Sequence, residues 1–234
     1  MKTQTKNIKS TLRSLALAGL TLLPQTQVKA DLAEKLEEVK LSGNIAYFLG
    51  TDSNAGAQTT YTELNHSTTL PYSTKVSGFV DFYEKDTGYF GKTVIEKGLV
   101  DKLNLRANVE HINEPISRVG FGLSYSLPMP KGTFAKVCYL PAYLDREGEK
   151  VDNRQIVGLV IGAELPYDFS LLAFGEMNVA AEKGPQWCYG EIELARKFGE
   201  EKRFSVGLNL QLNNNGVGNP IPEVVPRLAL RAKF

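Results

Sequence analysis

The sequence has no long hydrophobic run: nowhere in its 234 residues do apolar side chains extend to the roughly 20 that a membrane-spanning helix needs. That excludes a helical membrane protein. It does not exclude a membrane, because barrel strands alternate lipid-facing and lumen-facing residues, and the mean hydropathy of such a chain, here −0.20, reads as soluble. Cysteine is scarce. By strand alternation Cys138 points inward with Lys136 while Cys188 points outward with Ile192 and Leu194, so the two are read as separate small apolar side chains and not as a bridge. Histidine is equally scarce, at two residues. With no metal-ligand spacing, no glycine-rich phosphate loop and no close cysteine pair, neither a cofactor nor a metal is expected.

The chain ends on Val224 to Phe234, V-V-P-R-L-A-L-R-A-K-F. In an extended strand Leu228, Leu230, Ala232 and Phe234 share one side, and Arg227, Ala229, Arg231 and Lys233 the other. A soluble strand gains little from a terminal phenylalanine, since the last residues of a soluble domain usually fray. A strand closed by Phe234 resembles the last strand of bacterial outer-membrane barrels, whose terminal aromatic is part of the signal read by the barrel-assembly machinery.

Residues 1–30 fit export. Lys2, Lys6, Lys9 and Arg13 form a basic region, Ser14 to Leu23 an apolar one, and Val28-Lys29-Ala30 a small-residue cleavage site, so the mature chain is expected to start at Asp31. The apolar stretch before Pro24 is too short to span a bilayer. No cysteine follows the cleavage site closely enough to carry a lipid. Losing the five basic residues of this segment changes the formal charge from +1 to −4, and a mildly acidic chain without a basic patch excludes a nucleic-acid polymer as partner.

Residues 31–41 carry Leu32, Leu36 and Val39 at helical spacing, which predicts a short periplasmic helix or lead-in. From Leu41 the period is two. The expected fold of residues 42–234 is all-β, a transmembrane antiparallel β-barrel of about twelve strands, near 42–50, 58–66, 74–84, 88–97, 102–112, 117–127, 133–144, 154–165, 168–179, 187–198, 203–213 and 223–234. Some of these strands alternate cleanly. Phe204, Val206, Leu208, Leu210 and Leu212 oppose Ser205, Gly207, Asn209, Gln211 and Asn213, and the strands at 102–112 and 117–127 do the same. The fourth mixes its faces, and the ninth puts Leu172 and Phe174 on the side of Ser170, Glu176 and Asn178. Odd connections near 51–57, 145–153, 180–186 and 214–222 are long and are expected outside the cell, whereas the even ones near 98–101, 128–132, 166–167 and 199–202 are short and periplasmic. Ser67 to Ser73 is too long for that rule and Lys85 to Thr87 too short. Tyr47, Phe82, Tyr125, Tyr139, Phe198 and Phe234 are expected in interfacial girdles.

Tyr61-Thr-Glu-Leu-Asn65, Ser77-Gly-Phe-Val-Asp-Phe-Tyr83, Gly207 to Gly218 and Glu223 to Phe234 together resemble the Tsx-like nucleoside-specific channel-forming outer-membrane barrels. The resemblance implies a narrow twelve-stranded barrel that passes small solutes, nucleosides among them.

Alternation aims Asp81, Arg106, Glu110, Arg118, Lys136, Glu164, Glu176, Glu191, Glu193, Arg227, Arg231 and Lys233 inward, with Phe79 and Tyr83. Charges in so narrow a space must pair across it. Either the pairs form a plug that only stabilises the barrel, or they and the rings of Phe79 and Tyr83 make shallow successive sites for a small polar solute. Twelve strands leave space beyond side-chain filling, which favours a channel in contact with outer-membrane lipid. The alternatives are a non-conducting structural or ligand-binding barrel, an outer-membrane lipid hydrolase and a soluble secreted β-protein of two packed sheets. Hydrolysis is disfavoured, because neighbours His66 and Ser67 point to opposite faces of a strand, and His111 has no serine two places on.

Overall fold

The computed structural model describes residues 42–50, 61–70, 74–83, 89–112, 117–145, 147–151, 153–214, 216 and 219–234, apart from the side chain of Tyr83. The expected signal, the lead-in and the connections at 51–57 and 85–87 lie outside the described residues. The strands are β1 (Ser42–Gly50), β2 (Tyr61–Leu70), β3 (Thr74–Tyr83), β4 (Tyr89–Val100), β5 (Leu103–Ile112) and β6 (Arg118–Leu127), followed by β7 (Thr133–Asp145), β8 (Ile156–Glu164), β9 (Phe169–Asn178), β10 (Gln186–Phe198), β11 (Phe204–Asn213) and β12 (Glu223–Lys233). Each pairs antiparallel with its neighbours in sequence, and β1 pairs with β12 to close the barrel. Closure leaves no exposed sheet edge and rules out two packed sheets.

Turn chemistry and strand register explain the short end. Tyr167 and Asp168 have φ of 59° and 64°, and Glu201 and Lys202 have 55° and 53°, the pairs of positive φ that let a tight hairpin follow the strand twist. β2 continues through Thr68 and Thr69 to Leu70, opposite Thr74. The connection to β3 therefore shrinks to residues 71–73, and the expected long turn from Ser67 disappears. Beside these turns Lys202 donates a hydrogen bond to Asp168, which holds the Asp168 carboxyl below its ordinary value.

The faces are inverted relative to a soluble barrel. Leu208 is 57% exposed and Leu228 and Leu230 43% and 41%, whereas Arg227 is 1% exposed. Fully burying a leucine is worth about 1.5–3 kcal/mol, so a wall of such residues is stable against lipid and not against water. Phe82, Tyr125, Phe198 and Phe234 are exposed at strand ends, and Phe198 stacks on Phe204 with ring centroids 6.0 Å apart. Tyr139 differs. It lies midway along β7 and its hydroxyl donates to Gln155 Oε1 at 2.7 Å.

One facing is corrected by the structure. The β9–β10 register shifts between Trp187 and Tyr189, and the bulge carries Cys188 to the interior, where it packs on the cluster of Cys138, Leu140, Tyr143 and Ile156. An extra residue in one strand breaks the alternation from which an outward Cys188 was expected. Both cysteines are free thiols.

Candidate functional site: the barrel interior

The inward faces of β10, β11, β12, β1 and β2 build the first group of interior contacts. Arg227 on β12 lies beside Asn209 of β11 in the register, and its Nε donates to Asn209 Oδ1 at 3.1 Å while its Nη2 donates to Glu191 Oε1 at 2.6 Å. The hydroxyls of Tyr61 and Tyr189 donate to the same Glu191 oxygen at 2.8 and 2.7 Å. The guanidinium also sits over the rings of Phe48 and Tyr61, 4.6 and 4.8 Å from their centroids. Such stacking suits arginine, whose flat and weakly hydrated cation keeps its in-plane donors free. Two repeats of the pleat away, Arg231 joins Glu63 at 2.8 Å and Glu193 at 2.7 Å.

A second group lies on the inner faces of β4 to β8. Arg106 and Lys136 share Glu96, whose Oε1 also accepts the Ser124 hydroxyl at 2.6 Å. Towards the long connections, Arg154 reaches in from the segment before β8 and its Nη2 donates to both oxygens of Glu110, at 2.8 and 2.9 Å. Its guanidinium covers the Tyr143 ring at 4.7 Å, and Arg118 stands 3.8 Å from Glu110. Gly120 faces Tyr143 in the register, and a Cβ there would meet the ring at 2.4 Å. Glycine is the residue that lets this ring lie flat on the wall.

Between the two groups, contacts run from wall to wall. Lys92 on β4 donates to Glu176 on β9, strands on nearly opposite sides of the closed order. Phe79 and Phe90 from β3 and β4 meet Tyr189 of β10, with centroids 6.3 Å away in each case, and Phe174 of β9 lies 5.7 Å from Tyr189. The cations and carboxylates of these contacts pair with one another, as burial demands, whereas the buried Asp81 carboxylate is in none of these ion pairs. Asp81 is 1% exposed with its Oδ1 unpartnered among the described residues, as are Gln211 Oε1, Asn213 Nδ2 and Arg227 Nη1. Buried polar atoms of this kind want a hydrogen bond.

The structure thus places Phe79, Asp81, Arg106, Glu110, Lys136, Glu176, Glu191, Glu193, Arg227 and Arg231 inside the barrel. Arg118 lies at the long-connection rim with 39% of its side chain exposed. Glu164 is at the short-turn mouth, 66% exposed and paired with Lys197 at 2.6 Å. The side chain of Tyr83 lies outside the described residues. Sequence reasoning missed Phe48, Tyr61, Glu63 and Tyr189, although alternation within β1, β2 and β10 points them inward, and it missed Phe90, Lys92 and Glu96 because β4 mixes apolar and charged residues on both faces. The histidines are on the outer wall, His111 with its Nε2 3.3 Å from Thr93 Oγ1, and Ser67 faces away from His66.

No family model matches the chain, and no curated protein does. Among solved structures the barrel is similar to one titled KdgM porin, at 11% identity and a TM-score of 0.51 over 82% of this chain and 99% of that one. It is also similar to a structure of the NanC porin, at 13% identity and a TM-score of 0.50 over 83% of this chain and 100% of that one. At such identities the likeness speaks for the fold, and the fold is that of a porin-type closed β-barrel.

Proposed function

We propose that the protein is an outer-membrane channel for the diffusion of small uncharged or zwitterionic polar solutes, exported by the segment 1–30 and read by the assembly machinery through its last strand and Phe234. The observation that carries this reading is the inversion of faces. An apolar wall surrounds a lining of matched ion pairs, and a closed barrel with such a lining is built for lipid outside and water or polar solute inside. Matched charge gives little ion selectivity. Rings at Phe79, Phe90, Phe174 and Tyr189 stack on a flat solute, and the polar side chains of the lining exchange hydrogen bonds with it, so several shallow sites hold a solute without trapping it. Nucleosides fit this description, and their selection rests on the Tsx-like resemblance. Periplasmic chain ends and short turns, with the long connections outside, follow the usual arrangement of such barrels.

The wall-to-wall contacts favour a second reading, a non-conducting structural barrel in which the ion pairs are a plug. Planar-bilayer recording of the purified protein, with and without adenosine, separates the two. The channel reading expects open-channel current and its block by the nucleoside, weakened in Phe79→Ala and unchanged in Leu208→Ala, whose side chain faces lipid. Silence under all conditions would leave the plug.

A further inference from the structure

We infer that the short-turn mouth of the barrel is an anion-binding vestibule, built on Lys75, Lys102 and Lys136, that takes the carboxylate or phosphate group of a small molecule. A cavity of about 660 Å³ opens at this end. Its lining brings Lys75 from β3, Lys102 from the β4–β5 turn and Lys136 from β7 together with the Ser126 hydroxyl, over apolar walls that include Phe134 and Met129.

The charge here is unbalanced towards the positive, in contrast to the ion-paired groups deeper in the barrel. Lys75 faces Glu96 in the register, yet the Glu96 carboxylate is already taken by Lys136 and by Arg106 at 3.4 Å. Among the described residues neither Lys75 nor Lys102 has a carboxylate within ion-pair distance. Asp101 precedes Lys102 in the β4–β5 turn and Lys131 stands in the β6–β7 turn, one charge of each sign. Among the described residues the surplus is therefore positive, inside low-dielectric walls that focus its field on whatever enters. Two free ammonium groups on separate elements, with a hydroxyl beside them, suit the several oxygens of an oxyanion. The apolar wall suits a carbon body attached to it.

Calorimetric titration of the detergent-solubilised full barrel with pyrophosphate at low ionic strength tests this, and reads binding whether or not the barrel conducts. The inference expects saturable binding that weakens by about tenfold or more in Lys75→Gln/Lys102→Gln, because each removed contact is a hydrogen bond to a charged group. Lys183→Gln, at the opposite end, should bind as the parent does. Both substituted lysines lie at the rim, so heat-modifiable gel migration is expected to show the double variant folded. Phosphatidylglycerol added to the micelles separates the sources of the oxyanion: competition with pyrophosphate assigns the site to a lipid headgroup, and no competition to a soluble solute, each in support of the site. Binding of equal strength in the double variant, or none in the parent at millimolar pyrophosphate, would overturn it.

Discussion

Arg227 shows how much one side chain holds. Its guanidinium has 0% of its surface exposed and Glu191 only 4%, and two rings close over it. Removing one partner of such a pair leaves the other buried and uncompensated, at a cost of about 3–5 kcal/mol. Arg227→Met should therefore lower the stability of the folded barrel by that order, measured by urea unfolding from lipid vesicles, although the substitution keeps most of the volume. The pair was half legible in the sequence. Arg227, Arg231, Glu191 and Glu193 stand on cleanly alternating strands, so their inward facing could be read directly. Arg154 could not, because it reaches Glu110 from a connection and no strand period governs it. Lys92 and Glu96 were obscured by β4, which turns Phe90 and Val94 inward with them and Thr93 and Lys97 outward.

At the scale of elements, the seam between β1 and β12 decides whether the sheet is a barrel. Asn44 to Gly50 pair with Lys233 back to Arg227, and the Phe234 amide adds a last hydrogen bond to the Gly43 carbonyl at 3.1 Å. The Phe234 ring lies against Gly43, where a Cβ would come within 2.6 Å of the ring and 2.3 Å of the Asn65 carbonyl oxygen. The backbone of β2 cannot give way cheaply. Gly43→Ala should cost about 1–3 kcal/mol, as forced overpacking does, and lower the temperature at which the barrel loses its compact gel migration. Strand ends were read from sequence to within a few residues because turns, charge and the change of period coincide there. The bulge at Cys188 left no such mark, since an inserted residue alters facing without altering composition.

For the whole molecule, the sum of these contacts sets how open the interior is. Matched ion pairs line the two groups of walls, and Lys92 with Glu176 ties β4 to β9 between them. A twelve-stranded barrel has space for more than its own side chains, so these contacts and not the backbone fix the width of the passage. Lys92→Ala alone would leave Glu176 charged and unpaired in a side-chain environment only 14% exposed, and loss of fold would confuse the result. Lys92→Ala/Glu176→Ala removes both charges together and keeps the lining in balance. If solutes pass between the walls, single-channel current through the double variant in planar bilayers should exceed that of the parent, with ion selectivity unchanged because one charge of each sign has gone. An unchanged current would place the narrowest point elsewhere, at the rings of Phe79, Phe90 and Tyr189. A silent parent with a conducting variant would make Lys92 and Glu176 the plug itself, and the native barrel a closed one.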